Sequence, residues 1–264
     1  MKINRVILVT DANPMYADFW NPISKVYRDK FGWKPTLIYL GDPLLMAEKG
    51  FKVDGCDCMS FTPHPNYSMP LQATLAMSYA TKYYPEDTIL IQGIDEVMLS
   101  PLFPNMVDKY EDDTYVQLID DAYLPHHWTN PGGTSPSGLH VAKGSTFQKV
   151  YNFPNTFHEY VERVCSSGIG AFWDAPDRDG RWGLDESYTA HKLREFRDNG
   201  GKVANEGKFG LLCERRIECE RWKEPVYDLD KLNAGWYSQS HLCRPYSDHK
   251  AWLDKLFNDI PVWI

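Results

Sequence analysis

The stretch TILIQGIDEVMLSP, residues 88–101, narrows the choice of folds more than any other part of the chain. Thr88 to Gln92 has the length and apolar character of a buried strand. It runs straight into Gly93-Ile94-Asp95-Glu96, and a second apolar run then stops at Pro101. Such a strand delivers carboxylates to the C-terminal edge of a sheet, where open α/β sheets bind their ligands. An Asp-Glu pair at that edge suits a hard divalent cation, which takes oxygen ligands. A solvated strand end is the competing reading.

The flanking sequence supplies the rest of a sheet. Arg5 to Thr10 is a β-rich apolar run ending at Asp11-Ala12-Asn13-Pro14, a turn signal. Trp20, Ile23, Val26, Tyr27 and Phe31 recur at helical spacing, with Pro22 in the tolerant first turn. Thr36 to Leu40 reads as a second strand closed by Gly41-Asp42-Pro43, and Leu71 to Tyr83 as a helix feeding the strand at Thr88. Further strands are expected at Tyr115 to Ile119 and Gly138 to Ala142. Strand-helix-strand alternation predicts an α/β fold with a mainly parallel sheet flanked by helices. No repeat or linker interrupts it, so one domain spanning 1–264 is expected. A nucleotide-binding half would cover about 1–100 and a catalytic, acceptor half about 101–264. Two Gly/Pro-rich stretches, 125–136 and 174–183, are long enough for active-site lids or plain surface loops.

Composition excludes some functions. A formal charge of −8 is the wrong sign for a broad nucleic-acid surface, which needs a basic footprint. The N-terminus lacks a signal-peptide core, and no apolar run approaches the ~20 residues that span a bilayer. The expectation is a soluble, cytoplasmic chain without a membrane span. Its six cysteines show no paired C-x-x-C spacing and read as reduced thiols.

Several constellations can carry chemistry. Thr10-Asp11 and Asp42 end adjacent strands, where carboxylates can accept from ribose hydroxyls and base N–H groups; turn or cap duty is the alternative. No G-x-G-x-x-G follows the first strand and no G-x-x-x-x-G-K-[ST] occurs, which weakens dinucleotide and P-loop readings. Asp95 with the distant His241 is a plausible ligand pair for Mn²⁺ or Mg²⁺. Asp185 and Glu186 open a helix after a glycine-rich loop, as a general base or as simple helix-dipole partners. Arg216 and Arg221, joined by Arg244, suit an anion such as phosphate; salt bridges to the interleaved glutamates compete with that role.

Strand, G-I-D-E, V-M-L-S and Pro together resemble the metal-binding segment of GT-A glycosyltransferases, where a strand ends in D-x-D. Asp95 takes the second Asp position, and Gly93 stands where the first Asp would be. V-I-L-V-T-D-A resembles the opening nucleotide-binding strand, with Thr10, Asp11 and Ala12 near base and ribose. S-P-S-G-L-H-V-A-K resembles the strand beside the sugar, with Ser137 and Gly138 near the donor. H-L-C-R-P-Y resembles the C-terminal motif of glycogenin-like members, whose histidine completes the metal shell. These motifs span residues 5–246.

The resemblance implies a metal-dependent transfer of sugar from a nucleotide-diphosphate donor, UDP- ahead of GDP-, to a saccharide or other hydroxyl acceptor. Gly93 and Ile94 would line the donor, with Arg216, Arg221 and Arg244 sharing the diphosphate charge. Asp185 or Glu186 would be the base of an inverting reaction, with a retaining one left open. A non-catalytic sugar-nucleotide or glycan-binding protein and a sugar-1-phosphate nucleotidyltransferase are the alternatives. The first gains from Gly93; the second lacks its basic phosphate loop after the first strand.

Overall fold

The structure, a computed structural model, describes residues 1–118, 128–170, 183–205, 215–219 and 223–264. Its strands are β1 (Arg5–Thr10), β2 (Lys34–Leu40), β3 (Asp57–Phe61), β4 (Thr88–Ile91), β5 (Glu96–Met98), β6 (Thr114–Gln117), β7 (His140–Lys143), β8 (Lys202–Asn205), β9 (Arg216–Glu218) and β10 (Gln239–His241). Its α-helices are α1 (Pro14–Ala17), α2 (Trp20–Phe31), α3 (Pro43–Glu48), α4 (Met69–Ala80), α5 (Leu102–Val107), α6 (Gly144–Tyr151), α7 (Phe157–Cys165), α8 (Leu184–Asp198), α9 (Leu229–Asn233) and α10 (Lys250–Asp259).

Every residue of β1 is buried, and every residue of β2 except Lys34. Strands covered by helices on both faces carry such continuous apolar runs. They belong to a seven-stranded sheet of order β3-β2-β1-β4-β7-β6-β8. β7 is antiparallel to both neighbours; the other pairings are parallel. The expected mainly parallel sheet is present. From β1 the chain moves to β2 on one side and later returns to β4 on the other. That reversal is a topological switch point, whose C-terminal crevice receives ligands in open α/β sheets.

Two apolar cores sandwich the sheet. On one face Trp20, Ile23 and Tyr27 of α2 join Leu253, Leu256 and Phe257 of α10. On the other, Leu75 of α4, Phe147 of α6, Tyr160 of α7 and Tyr188 of α8 pack together. Gly32 ends α2 at φ 68°, its amide donating to the Tyr27 carbonyl, a left-handed cap that glycine adopts without strain. β5, β10 and β9 form a separate three-stranded sheet. Among the described residues no helix is long and apolar enough to cross a membrane.

Boundaries shift by a few residues. The helix expected from Leu71 begins at Met69 and closes with a 3-10 turn, Thr81–Tyr83. The strand expected from Gly138 begins at His140, and the one expected from Tyr115 begins at Thr114. Of the two loops, only 128–136 and Gly183 fall within the described residues.

The cysteine reading needs correction. Cys219 and Cys243 form a disulfide, with Cα atoms 5.1 Å apart. The cause is topological: β9 and β10 are parallel neighbours, so the residues just past their ends lie within bridging range. Cys56, Cys58 and Cys165 carry thiols. Cys213 lies outside the described residues. Disulfides belong mainly to oxidising compartments, so cysteine usage lends no support to a cytoplasmic location.

Candidate functional site

The register of the small sheet builds the site. His241 on β10 stands opposite Glu96 on β5 and Glu218 on β9, so one row across three strands carries three ionisable side chains. Asp95 immediately precedes β5, and its carbonyl accepts from the Leu242 amide at 2.8 Å, which holds it against the end of β10. His241 Nε2 lies 3.2 Å from Asp95 Oδ2, and its Nδ1 lies 2.7 Å from Glu218 Oε1. The strand-end acid and the histidine 146 residues away do meet.

Two arginines close the cluster. Arg244 Nη1 is 3.0 Å from Asp95 Oδ2 and donates to the Tyr16 hydroxyl at 2.6 Å. Arg216 bridges two acids, with Nη2 3.2 Å from Glu96 Oε1 and Nε 3.0 Å from Glu218 Oε2. The Nε contact is an ion pair off the hydrogen-bond axis, since that N–H has no geometrically acceptable acceptor. The salt-bridge reading of the arginine cluster is thus realised for Arg216. Arg221 lies outside the described residues.

Charge and burial oppose one another here. Burial lowers the His241 pKa, but the hydrogen bonds and charges of Asp95, Glu218 and Glu96 outweigh it and raise it to about 9. Burial would raise Asp95, yet His241 and Arg244 hold it below the usual carboxylate range. Glu218 is lowered against its own burial by His241 and Arg216. Glu96 goes the other way: burial raises it, and Arg216 does not fully compensate.

Gly93 and Gly138 face this cluster. A Cβ on Gly93 would stand 2.8 Å from Asp95 Oδ1 and 3.6 Å from Glu96 Oε2, so an acid at that position would enter the carboxylate group directly. A Cβ on Gly138 would lie 3.5 Å from Gln92 Cα and 3.8 Å from Glu96 Oε2. The neighbouring Ser137 hydrogen-bonds Asp185, which is 7% exposed and also receives Thr74 of α4 and the backbone at 185 and 186. Burial raises the Asp185 pKa and these hydrogen bonds oppose it. Glu186, half-buried, accepts at its carbonyl from the Ser135 amide at 3.3 Å. The Asp185 end of α8 and the Asp95–His241 cluster are therefore joined through residues 137–138.

At the other end, Thr10 is the buried last residue of β1. Asp11 Oδ1 accepts from the Asn13 amide at 2.9 Å, and Asp42 Oδ1 from the Leu44 amide at 2.9 Å. Both serve local turns, as the competing reading had it. Both also raise the pKa of Tyr39, after burial, so the two charges act on one hydroxyl. Ala12 is half-buried in the turn between them and α1. Ile94 departs from its expected place: its side chain is 4% exposed and lies in the core.

Sequence reasoning did not single out Tyr16, Thr74 or Glu218 as a partner of His241. Glu218 alone carried a signal, as a glutamate spaced two residues from Arg216 on what proves to be a strand, hence on the same face.

No family model matches the sequence, and no curated protein does. Solved structures do match. The galactosyltransferase LgtC, in complex with donor and acceptor sugar analogs, aligns at TM-score 0.51 and 14% identity over 97% of this chain and 94% of that one. An active-site mutant of LgtC gives 0.53 and 14% over the same shares. The fold is GT-A. A glycosyltransferase involved in glycosylation of the major capsid of PBCV-1 aligns at 0.46 and 10%, over 95% of this chain and 99% of that one. In the GT-A frame the Asp95–His241 cluster occupies the C-terminal side of β4, beside the β1/β4 switch point.

Proposed function

We propose that this GT-A chain is a glycosyltransferase that moves a sugar from a nucleotide-diphosphate donor to a hydroxyl acceptor. The observation that carries the reading is the meeting of Asp95 with His241, 146 residues away, and with Arg244, beside the switch point of the sheet.

The residues fit a divalent cation. Asp95 Oδ2 and His241 Nε2 are 3.2 Å apart. A bound cation would displace the imidazole proton that now joins them. Among the described residues no three His, Cys, Asp or Glu side chains form a metal cage, and the donor and water would supply further ligands. Imidazole with carboxylate suits Mn²⁺, with Mg²⁺ the alternative. When bound, the cation would act as a Lewis acid toward the leaving diphosphate.

The chain's own groups do the rest. Asp11 and Asp42, whose charges both act on Tyr39, would accept from ribose and base N–H or O–H donors. Arg244 supplies a guanidinium fork for phosphate oxygens, while Arg216 stays paired with Glu96 and Glu218. Ser137 and Asp185 lie past Gly138, where the sugar of a donor seated on the cluster would extend. Asp185, raised by burial, is suited to take the acceptor's proton in an inverting transfer.

A thermal-shift panel of UDP, GDP, CDP and dTDP, each with and without Mn²⁺, tests donor binding, because a ligand of the folded state raises its stability. UDP with Mn²⁺ is expected to give the largest shift. Gly93 in place of an acid favours one second reading, a protein that binds the donor without turnover. Release of free nucleotide from a nucleotide-sugar, with product configuration read by NMR, separates the two. Absence of any nucleoside-diphosphate shift would sink both.

A further inference from the structure

We propose that Arg244 is a resident stand-in for the divalent cation: it neutralises Asp95 in the metal-free protein and passes to the donor's diphosphate when the cation takes Asp95 and His241. The inference rests on the cation reading above and adds a competition that the reading does not contain.

The competition follows from one shared oxygen. Asp95 Oδ2 is approached by Arg244 Nη1 at 3.0 Å and by His241 Nε2 at 3.2 Å. A cation inserted between Oδ2 and Nε2 would face the guanidinium across a single carboxylate oxygen. Like charges at that range repel strongly in a site this enclosed, where the side chains of Asp95 and Arg244 are 14% and 16% exposed. The guanidinium must leave before the ion can settle.

Gly93 sharpens the contest. An acid there would project into the carboxylate group, as its Cβ position 2.8 Å from Asp95 Oδ1 shows. Without it, Asp95 is the one strand-end carboxylate beside His241 not held by Arg216, which is engaged by Glu96 and Glu218. One negative group then has two suitors, and Arg244 holds it first.

Arg244 also has somewhere to go. Its guanidinium donates to the Tyr16 hydroxyl at 2.6 Å and lies 5.1 Å from the Tyr16 ring centre. Tyr16 sits on α1, just past the Asp11-Ala12 turn. The guanidinium is thus tethered between the nucleoside end of the site and Asp95. A diphosphate must cross that interval, and a fork released from a carboxylate binds phosphate oxygens with the same geometry.

The test compares the full chain with Arg244→Gln in two titrations. The first follows Mn²⁺ alone by the EPR signal of the free ion. The second follows inorganic pyrophosphate, which carries the diphosphate without a base, by thermal shift at saturating Mn²⁺, against Mn²⁺ alone. Opposite changes are expected: roughly tenfold tighter Mn²⁺ binding and roughly tenfold weaker pyrophosphate binding to the Mn²⁺-loaded protein, within the usual range of site-to-site coupling. If the variant does not fold, Arg244→Lys replaces it; a single ammonium cannot hold Asp95 and Tyr16 as a fork does, so smaller shifts in the same directions are expected. Unchanged or weaker Mn²⁺ binding in the variant overturns the competition. Pyrophosphate affinity that is undetectable in wild type or unchanged by the substitution overturns the hand-over. If Mn²⁺ binds neither protein, even with UDP present, the cation reading itself falls and takes this inference with it.

Discussion

His241 makes two side-chain hydrogen bonds with one ring, and their value depends on its proton. With the folded pKa near 9 and the free imidazole near 6.5, the folded state binds that proton more tightly. The stabilisation is fully present below about pH 6.5 and is lost as pH rises through about 9. In metal-free protein, His241→Gln should therefore lower stability by about 1.5–3 kcal/mol at pH 6, the range for hydrogen bonds to charged groups. Wild type and variant should converge above pH 9; denaturant melts at several pH values read this out, and a constant gap would contradict it. Asp185 has a consequence of the same sign. Its folded pKa is raised, so its contribution is complete below the unfolded value and shrinks as pH rises through the folded one. Asp185→Asn should cut transfer by about 10²–10⁴-fold, as loss of a general base does. Its melting temperature relative to wild type should rise between pH 4 and 8. A relative fall over that interval, with turnover per folded molecule intact, would make Asp185 a mere helix partner. Asp95 and Asp185 were legible because each sits where an apolar or glycine-rich signal changes into an acid. Tyr16 was not, because an aromatic one turn past a strand has no pattern separating ligand support from packing.

At the level of elements, the longest signals were the most legible. β1, β2 and α2 announced themselves through six to twelve residues of consistent apolar spacing. β5, β9 and β10 are three residues each, too short for a period of two to show. Their pairing is a tertiary fact, and so is the disulfide that follows from it. Cys219–Cys243 spans 24 residues, and a closed loop of that size is worth about 3 kcal/mol in the chain-entropy account. Cys243→Ser is expected to lower unfolding free energy by about 2–4 kcal/mol. The same substitution should weaken Mn²⁺ binding, because the bridge pins the ends of the strands that carry Glu218 and His241. Equal denaturation midpoints for wild type and variant would show that strand pairing alone holds this corner.

The whole molecule has its architecture in its first four-fifths and its chemistry tied together by the remainder. Alternation of strand and helix made the large sheet readable, since each parallel strand is a buried apolar run and each crossover a helix. The site was readable only as scattered fragments, because no local rule says which distant segments share an edge. Order along the chain then bears on how such a protein comes into being. All seven strands of the large sheet lie before residue 206, whereas β9, β10 and Arg244 come after it. During synthesis the sheet can therefore pair while the acidic row is still missing its histidine and its arginine. One apolar face also waits for α10, which supplies Leu253, Leu256 and Phe257 to the core. The growing polypeptide thus passes through an interval in which Asp95 and Glu96 have neither their basic partners nor a finished core beneath them. The arrival of residues 215–264 gives that acidic edge its histidine and its arginines.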